Sequence, residues 1–506
     1  MVFNKSNKIM SIWLSKKQLE KLDPAERVAG ESPIPTRIVS NGEFNPLPQT
    51  DKQKQVEARI EAASAAQGKK LGMGRREFLQ SASGMAAAFM AMNEVFGPVF
   101  SVAQAEVADP AAAADRSAKL ARQFIFDNQL HFVREDYQNE GLLGLGQFAA
   151  EHWNPAMLDD IGLEMRRYQF ENFIKEVYLD SDTKVGLISG ASFDDPEMSI
   201  ITNDQMALTR ELVNRVAGSR RLLCHSVVSP GREGWLDRVD YAIDVLKPDS
   251  WKGYTVGDPL VPSEYPWRLD DEALAYPFYE KAVKAGINTI CIHKGLLPAD
   301  YEQSLPGIWE YAKVDDLPKA AKDWPNINFI IYHAAFRPFL ELPDTDAAEF
   351  ERTGYIRWAS DLAEMPGKYG LKNIYAEIGT SFANSAVTNP RLAAGLLGTL
   401  IKGMGVDHVI WGTDSVWYGS PQWQIEALRR MEIPEDMQQK FGFAPLGAAD
   451  GDIKNAIFGG NAAPLYDLDA GQEYEPIARD NLDKMKDEYQ RSGIGRSNAA
   501  YGYVSR

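Results

Sequence analysis

Short apolar runs recur through the middle of the chain, each followed by polar or glycine-containing sequence. In the first, IFDNQLHFV at 125–133, Phe124, Phe126, Leu130 and Phe132 alternate with Asp127, Gln129 and His131. That is the period-2 pattern of a strand. Residues at i and i+2 project to one side, so Gln129 and His131 are placed to reach one ion together. Seven further runs follow: Thr183–Gly190, Arg220–Val228, Trp251–Gly257, Ile287–Gly295, Asn326–Ala335, Asn373–Gly379 and His408–Ser415. Helical periodicity fills most of the gaps, at Asp204–Val216, Leu236–Leu246, Asp271–Lys284, Leu317–Asp323, Ala347–Glu364 and Pro390–Met404, and again at Gln422–Met431.

Strands alternating with helices predict parallel βαβ units. His225, Tyr254, His293, His333, Glu377 and Asp414 all fall near the ends of their strands, spaced 29, 39, 40, 44 and 37 residues apart. Eight such units predict an α/β fold of the (β/α)8 TIM-barrel type, whose chemistry gathers at the C-terminal rim. The competing doubly wound sheet lacks its glycine-rich first turn here. Polar groups on so many strand ends also suit a closed ring better.

The ends of the chain read differently. Residues 1–70 are polar, with prolines at 24, 33, 35, 46 and 48, and are expected to be largely disordered apart from a short helix near Ile12–Leu22. Next comes GRREFLQSASGMAAAFMAM, Gly74–Met92. Arg75–Arg76 ahead of a weakly apolar run, then Ala103-Gln104-Ala105, resembles a twin-arginine export signal with its cleavage site. The run is interrupted at Asn93–Glu94 and Gly97–Pro98, too soon to span a bilayer. The resemblance implies export of an already folded chain beginning near Glu106, hence a periplasmic or exported location. The expected organisation is 1–105 as leader and signal, 106–468 as barrel, and 469–506 as a charged extension with an exposed helix around Ile477–Gln490.

Charge narrows the partners. Residues 1–76 carry 14 Lys+Arg against 8 Asp+Glu, whereas from Glu106 onward the count is 40 against 61. So acidic a body is a poor match for nucleic acid or an anionic membrane. The expected partners are a small-molecule substrate and the export machinery, with a homo-oligomer allowed. Cys224 and Cys291 both lie inside apolar runs and read as buried free thiols.

Three of the six histidines, His131, His293 and His333, fall at ends of strands one, five and six, and Asp414 ends strand eight. Imidazole and carboxylate suit a divalent ion such as zinc or manganese, which lowers the pKa of bound water to ~7. DNQLH, IHKG, YHAA, WGTDS and IFGGNAAPLY resemble, in order and spacing, motifs of the amidohydrolase-related (amidohydrolase 2) family over roughly residues 123–468. The resemblance implies a metal-dependent barrel that hydrolyses C–O or C–N bonds or removes carboxyl groups. By matching position it implies one divalent ion held by Gln129, His131, His293 and Asp414. Asp127 would orient a ligand, and His333 and Asp414 would be the catalytic residues. Gln129 departs from the family's histidine, and an amide oxygen is a weaker, harder ligand. No bridging lysine is expected, because Lys252 opens strand four instead of ending it.

Glu377, Lys294, Arg337 and Trp417 are candidates for substrate binding. His225 reads equally as interior filler, His152 as a cover to the pocket, His408 as structural, and Tyr418 and Trp423 as an aromatic wall. The activity expected is metal-dependent hydrolysis of a small lactone, ester, amide or carboxylated ring. A non-oxidative decarboxylase at the same site and a non-catalytic binding barrel with a degenerate metal site are the alternatives.

Overall fold

The structure, a computed structural model, describes residues 22–24, 32–36, 49–137, 168–259, 261–296, 302, 305–337, 343–471, 477, 479–491 and 503–505. Its centre is an eight-stranded parallel sheet whose strands neighbour one another in chain order. Numbered within the barrel, these are β1 Phe126–Leu130, β2 Val185–Ile188, β3 Leu222–Val227, β4 Ser250–Tyr254, β5 Thr289–His293, β6 Asn328–Tyr332, β7 Ile374–Glu377 and β8 Val409–Ile410. Each lies inside or overlaps an expected run. Their mostly buried, Ile-, Leu- and Val-rich sequences fit strands covered on both faces, by the barrel interior and by the outer helices.

The ring closes between β1 and the segment after β8. Asn128 N donates to Trp411 O at 3.1 Å, Asp414 N to Gln129 O at 2.9 Å and His131 N to Ser415 O at 2.6 Å. The fold is a TIM barrel, as the eight-unit pattern predicts.

The helices depart from expectation in three places. Ala347–Glu364 is not one helix: Pro343–Thr353 ends before Gly354, whose φ is +75°, and Ala359–Tyr369 starts anew. A further helix, Ser381–Thr388, follows β7 with every residue buried; without a polar face it shows no amphipathic period. The third departure lies at the N-terminus. Asp51–Leu71 is a 21-residue helix where disorder is expected, started by a Thr50–Gln53 capping box and buried along Val56, Ile60 and Ser64. A stripe that narrow is easily hidden in so polar a sequence. Of the short helix expected near Ile12–Leu22, residues 12–21 lie outside the described residues. Leu22 instead opens a three-residue strand, Leu22–Pro24, antiparallel to Tyr503–Ser505.

The segment resembling an export signal is folded onto the barrel. Helix Ala82–Phe96 continues through Asn93–Glu94, where the apolar run is interrupted, and buries Ala86, Ala88, Phe89 and Met92. Asn93 turns the chain beyond Gly97 by accepting from Val99 N and Phe100 N and donating to Phe100 O. The returning strand pairs with the end of helix Gln422–Arg430: Ser101 N donates to Arg430 O at 2.7 Å and Glu432 N to Val99 O at 2.8 Å. Ala103-Gln104-Ala105, the expected cleavage site, leads into helix Gln104–Ala108. Among the described residues no helix is long and apolar enough to cross a membrane.

Buried charge fastens this joint. Arg116 meets Glu426 at 2.6 Å, Arg430 meets Glu106 at 2.6 Å and Glu426 at 3.2 Å, and Arg429 bridges Glu426 at 3.0 Å and Asp182 at 2.7 Å. At the C-terminus, helix Asn481–Arg491 lies against helix Asn203–Ala217, with Asn481 donating to Val216 O. Both cysteines are buried free thiols.

Two outcomes follow from the joint. A chain beginning at Glu106 loses the buried side chains of Phe89, Met92, Val99 and Phe100 and the backbone bonds of Val99 and Ser101 at the end of helix Gln422–Arg430. It is expected to melt about 10 °C or more below the full chain by circular dichroism, and equal melting would show the segment to be dispensable to the fold. Burial alone would raise the Glu426 carboxyl, but Arg429, Arg116 and Arg430 outweigh it and hold it at about 2. A depressed carboxyl stabilises above its unfolded value and loses that contribution as pH falls from the usual 4.5 toward 2, about 3 kcal/mol in all. The stability gap between wild type and Glu426→Gln should therefore be widest at pH 7 and shrink across that window.

Candidate active site

At the C-terminal rim the chain brings Gln129, His131, His333, Glu377 and Asp414 together. Asp127 sets the frame. Its Oδ1 accepts from Thr413 N at 3.0 Å and Gln129 N at 3.2 Å, and its Oδ2 accepts from the Thr413 hydroxyl at 2.5 Å. It thereby ties β1 to the segment after β8 and fixes both Gln129 and Asp414.

Asp414 accepts at both oxygens. His131 Nε2 and Gln129 Nε2 each lie 3.0 Å from Oδ1, and the Thr380 hydroxyl donates to Oδ2. His333 follows β6 and is fixed from both sides. Its Nδ1–H donates to Gly379 O at 2.9 Å, and its backbone N–H donates to Glu377 Oε2 at 3.2 Å. With the proton on Nδ1, Nε2 carries a lone pair, and the Gln129 amide NH2 stands 3.5 Å from it. His293 stacks on Tyr254 at 4.8 Å between ring centroids and meets His333 edge-on at 4.6 Å. Trp417 packs near His131, at 5.7 Å, and against Tyr168.

The backbone here is held in an unusual conformation. His333, Ala334, Ala335, Thr380 and Asp414 all have φ between 50° and 62°, the left-handed region that non-glycine residues enter at a cost. Such residues persist where the surrounding structure over-determines them, and they cluster at functional sites.

Burial and hydrogen bonding divide the three carboxyls. Burial pushes Asp127 up to about 7 against the Thr413 bonds, and Glu377 up to about 8 against the N–H groups of His333 and Gly379. Burial would raise Asp414 too, but the hydrogen bond and charge of His131, with His333 and Thr380, hold it below the usual carboxylate value. Of the three, Asp414 is therefore the carboxyl most strongly held in its ionised form. Burial drives His293 well below its ordinary value, with His333 and Lys252 adding to it, and drives His333 down to about 4 against the pull of Asp414. Both rings are neutral.

The remaining candidates lie elsewhere. Lys294 is not turned to the rim: its Nζ is fully buried against Asp316, at 2.8 and 2.9 Å, and Tyr311 O. Its cation is already matched inside the protein. Arg337, just past the left-handed turn, is buried at 1% exposure. His225 is interior: Ser250 lies 2.8 Å from Nδ1 and Tyr332 OH 2.8 Å from Nε2, and Tyr332 itself donates to Asn128 O. Lys252 lies mid-strand with Nζ over the Tyr332 ring at 3.5 Å. His408 is structural, bonded to Lys372 O and stacked on Tyr375, and His152 falls outside the described residues. Two participants went unforeseen, Thr413 and Thr380; Tyr418, expected as part of an aromatic wall, lies with its hydroxyl 3.2 Å from that of Thr380. Ordinary loop hydroxyls carry no sequence signal beyond their nearness to Asp414 and Glu377.

The four residues that the resemblance assigns to a divalent ion do not form an ion site as folded. Among the described residues no three His, Cys, Asp or Glu side chains converge closely enough to hold a metal. Asp414 Oδ1 is shared by two N–H donors, and Gln129 turns its NH2 inward while its Oε1 is buried without a hydrogen-bond partner.

Two glycines make room for these groups. A Cβ on Gly412 would lie 1.8 Å from Glu377 Oε1, and one on Gly379 would lie 2.5 Å from Gln129 Oε1. Glu377 is pinned by two backbone N–H groups, so Gly412→Ala is expected to cost about 1–3 kcal/mol in urea unfolding. A cost under about 0.5 kcal/mol would mean that Glu377 can retreat.

No curated protein matches the chain in sequence. Similar solved structures include an uncharacterised TIM-barrel protein from Bordetella bronchiseptica, with 13% identity over 69% of this chain and 99% of that one and a TM-score of 0.41. The 2,6-dihydroxybenzoate decarboxylase from Rhizobium is 13% identical over 68% and 99%, with a TM-score of 0.40. A dihydroxybenzoic acid decarboxylase from Polaromonas sp. JS666, crystallised with manganese and the inhibitor 2-nitroresorcinol, is 14% identical over 68% and 97%, with a TM-score of 0.39. Residues 254–468, from the end of β4 through the turns that follow β8, match the model of the Amidohydrolase family.

Proposed function

We propose that this protein is a small-molecule hydrolase whose reacting centre is Asp414 with His333 at the barrel rim. The observation that carries the reading is the convergence of three donors, from His131, Gln129 and Thr380, on the Asp414 carboxylate. The family match over residues 254–468 supports it. A carboxylate held by that many donors is a base of fixed position, set in a buried rim where charge interactions are strong.

In the mechanism we propose, a water beside Asp414 attacks the acyl carbon of a lactone, ester or amide. A new C–O bond forms as the water's proton passes to Asp414, and the C–O or C–N bond to the leaving group then breaks. The proton returns to the leaving atom. His333 cannot polarise the scissile oxygen by donating, because Nδ1 holds its proton against Gly379 O. With its Nε2 lone pair turned to the Gln129 amide at 3.5 Å, His333 holds the geometry of the centre while Asp414 takes the water's proton. Trp417, 5.7 Å from His131 between ring centroids, is placed to meet the substrate's ring. Export with the signal-like segment still docked is part of the same proposal, since a folded barrel already includes that segment; N-terminal sequencing of exported protein tests it.

The activity test sets a panel of lactones and aryl esters against aromatic carboxylic acids, following ring opening and carbon dioxide together. Hydrolysis should dominate, and Asp414→Asn should lower kcat/KM by about 10³-fold or more with the circular dichroism spectrum unchanged. Carbon dioxide release with no hydrolytic product would reassign the centre to decarboxylation. No turnover of either class would favour a binding barrel.

A further inference from the structure

We infer that Gln129 takes the place of a metal ion in this centre, holding Asp414 and His333 in register through its amide. The inference does not depend on which reaction the centre runs. Its first support is the direction of the amide. The NH2 faces two acceptors from different strands, Asp414 Oδ1 at 3.0 Å and the lone pair of His333 Nε2 at 3.5 Å. Both acceptor assignments are fixed by outside partners, since Asp414 also receives His131 and Thr380 while His333 gives its one proton to Gly379 O. An inward carbonyl would set a third acceptor against those two. An inward NH2 supplies two protons where two are wanted.

The second support is what a cation would have to undo. A divalent ion on Asp414 Oδ1 would displace both N–H donors from that oxygen. It would require His131 to move its proton from Nε2 to Nδ1, and it would face the positive end of the amide dipole until Gln129 turned over. The third is the site's shape. Gly379 leaves room for Gln129 Oε1, which lies 2.5 Å from where a Cβ would stand. Position 129 is thus packed as an amide, and β1, the segment after β6 and the segment after β8 meet at that one group. Gln129 is a positioning residue: it acts through Asp414 and His333.

The test uses the full chain and needs no substrate. Purified protein is loaded with zinc or manganese, passed through gel filtration and analysed for metal, and its melting is followed with and without each ion. Wild type is expected to retain less than about a tenth of an equivalent and to melt unchanged. Gln129→His, which restores a second imidazole on β1, should retain close to one equivalent and melt higher with metal than without. Wild type that keeps about one equivalent, and loses it in Asp414→Asn, would overturn the inference. So would a folded Gln129→His protein that stays as bare as wild type, because the choice would then not lie with Gln129. Should that variant fail to fold, the wild-type stoichiometry alone decides. An inactive wild type with no metal would count against the hydrolase reading while leaving the amide's place in the centre intact.

Discussion

Asp127 gives both carboxyl oxygens to Thr413, 286 residues further along the chain, and its neighbours complete the closure with backbone bonds from β1 to Trp411, Asp414 and Ser415. Everything at the rim depends on this seam. Gln129 and His131 come from one side of it and Asp414 from the other, so the two 3.0 Å contacts on Asp414 exist only while the ring is shut. A barrel closed by local turns would not need so much buried polarity. Here the polar groups satisfy one another across the joint, as buried polar groups must.

Much of the barrel was legible because its strands announce themselves twice, by apolar runs and by a polar residue at each end. Periodicity could not show what lacks a period. Helix Ser381–Thr388 is buried all round, and Asp51–Leu71 hides a thin buried stripe in polar sequence. In the site, His131, His333 and Asp414 stood out by residue type. Thr380 and Thr413 did not, since their roles arise from left-handed turns and from closure between distant segments. Lys294 misled for the opposite reason. A lysine beside a rim histidine reads as a substrate anchor until Asp316 is seen to hold it, and that carboxylate lies 22 residues away. Gln129 stood out in the sequence as a departure from the pattern that the other motifs resemble, but the direction of its NH2 is visible only in the fold.

The N-terminal joint adds a different lesson. The apolar run after Arg75–Arg76, part of the stretch that resembles an export signal, serves as packing, while the two arginines stay exposed. Nothing in one role forbids the other, because Phe89 is apolar enough for either. What distinguishes them is Asn93, whose side chain makes three bonds that only the turned-back chain can offer.

That joint also sets a schedule. Ser101 bonds to Arg430 and Arg116 to Glu426, partners made more than three hundred residues later. At about 5–20 residues per second, the residues that this stretch bonds to are made tens of seconds after it has left the ribosome, whereas helix Ala82–Phe96 finds its own packing partners, Asp51–Leu71, Gln104–Ala108 and Pro110–Leu120, close by in the chain. For that interval Glu106 and Arg116 lack the counter-charges of Arg430 and Glu426, and the N-terminal helices pack on one another until Gln422–Arg430 emerges. The nascent protein thus carries a timer whose length is set by where helix Gln422–Arg430 falls in the gene.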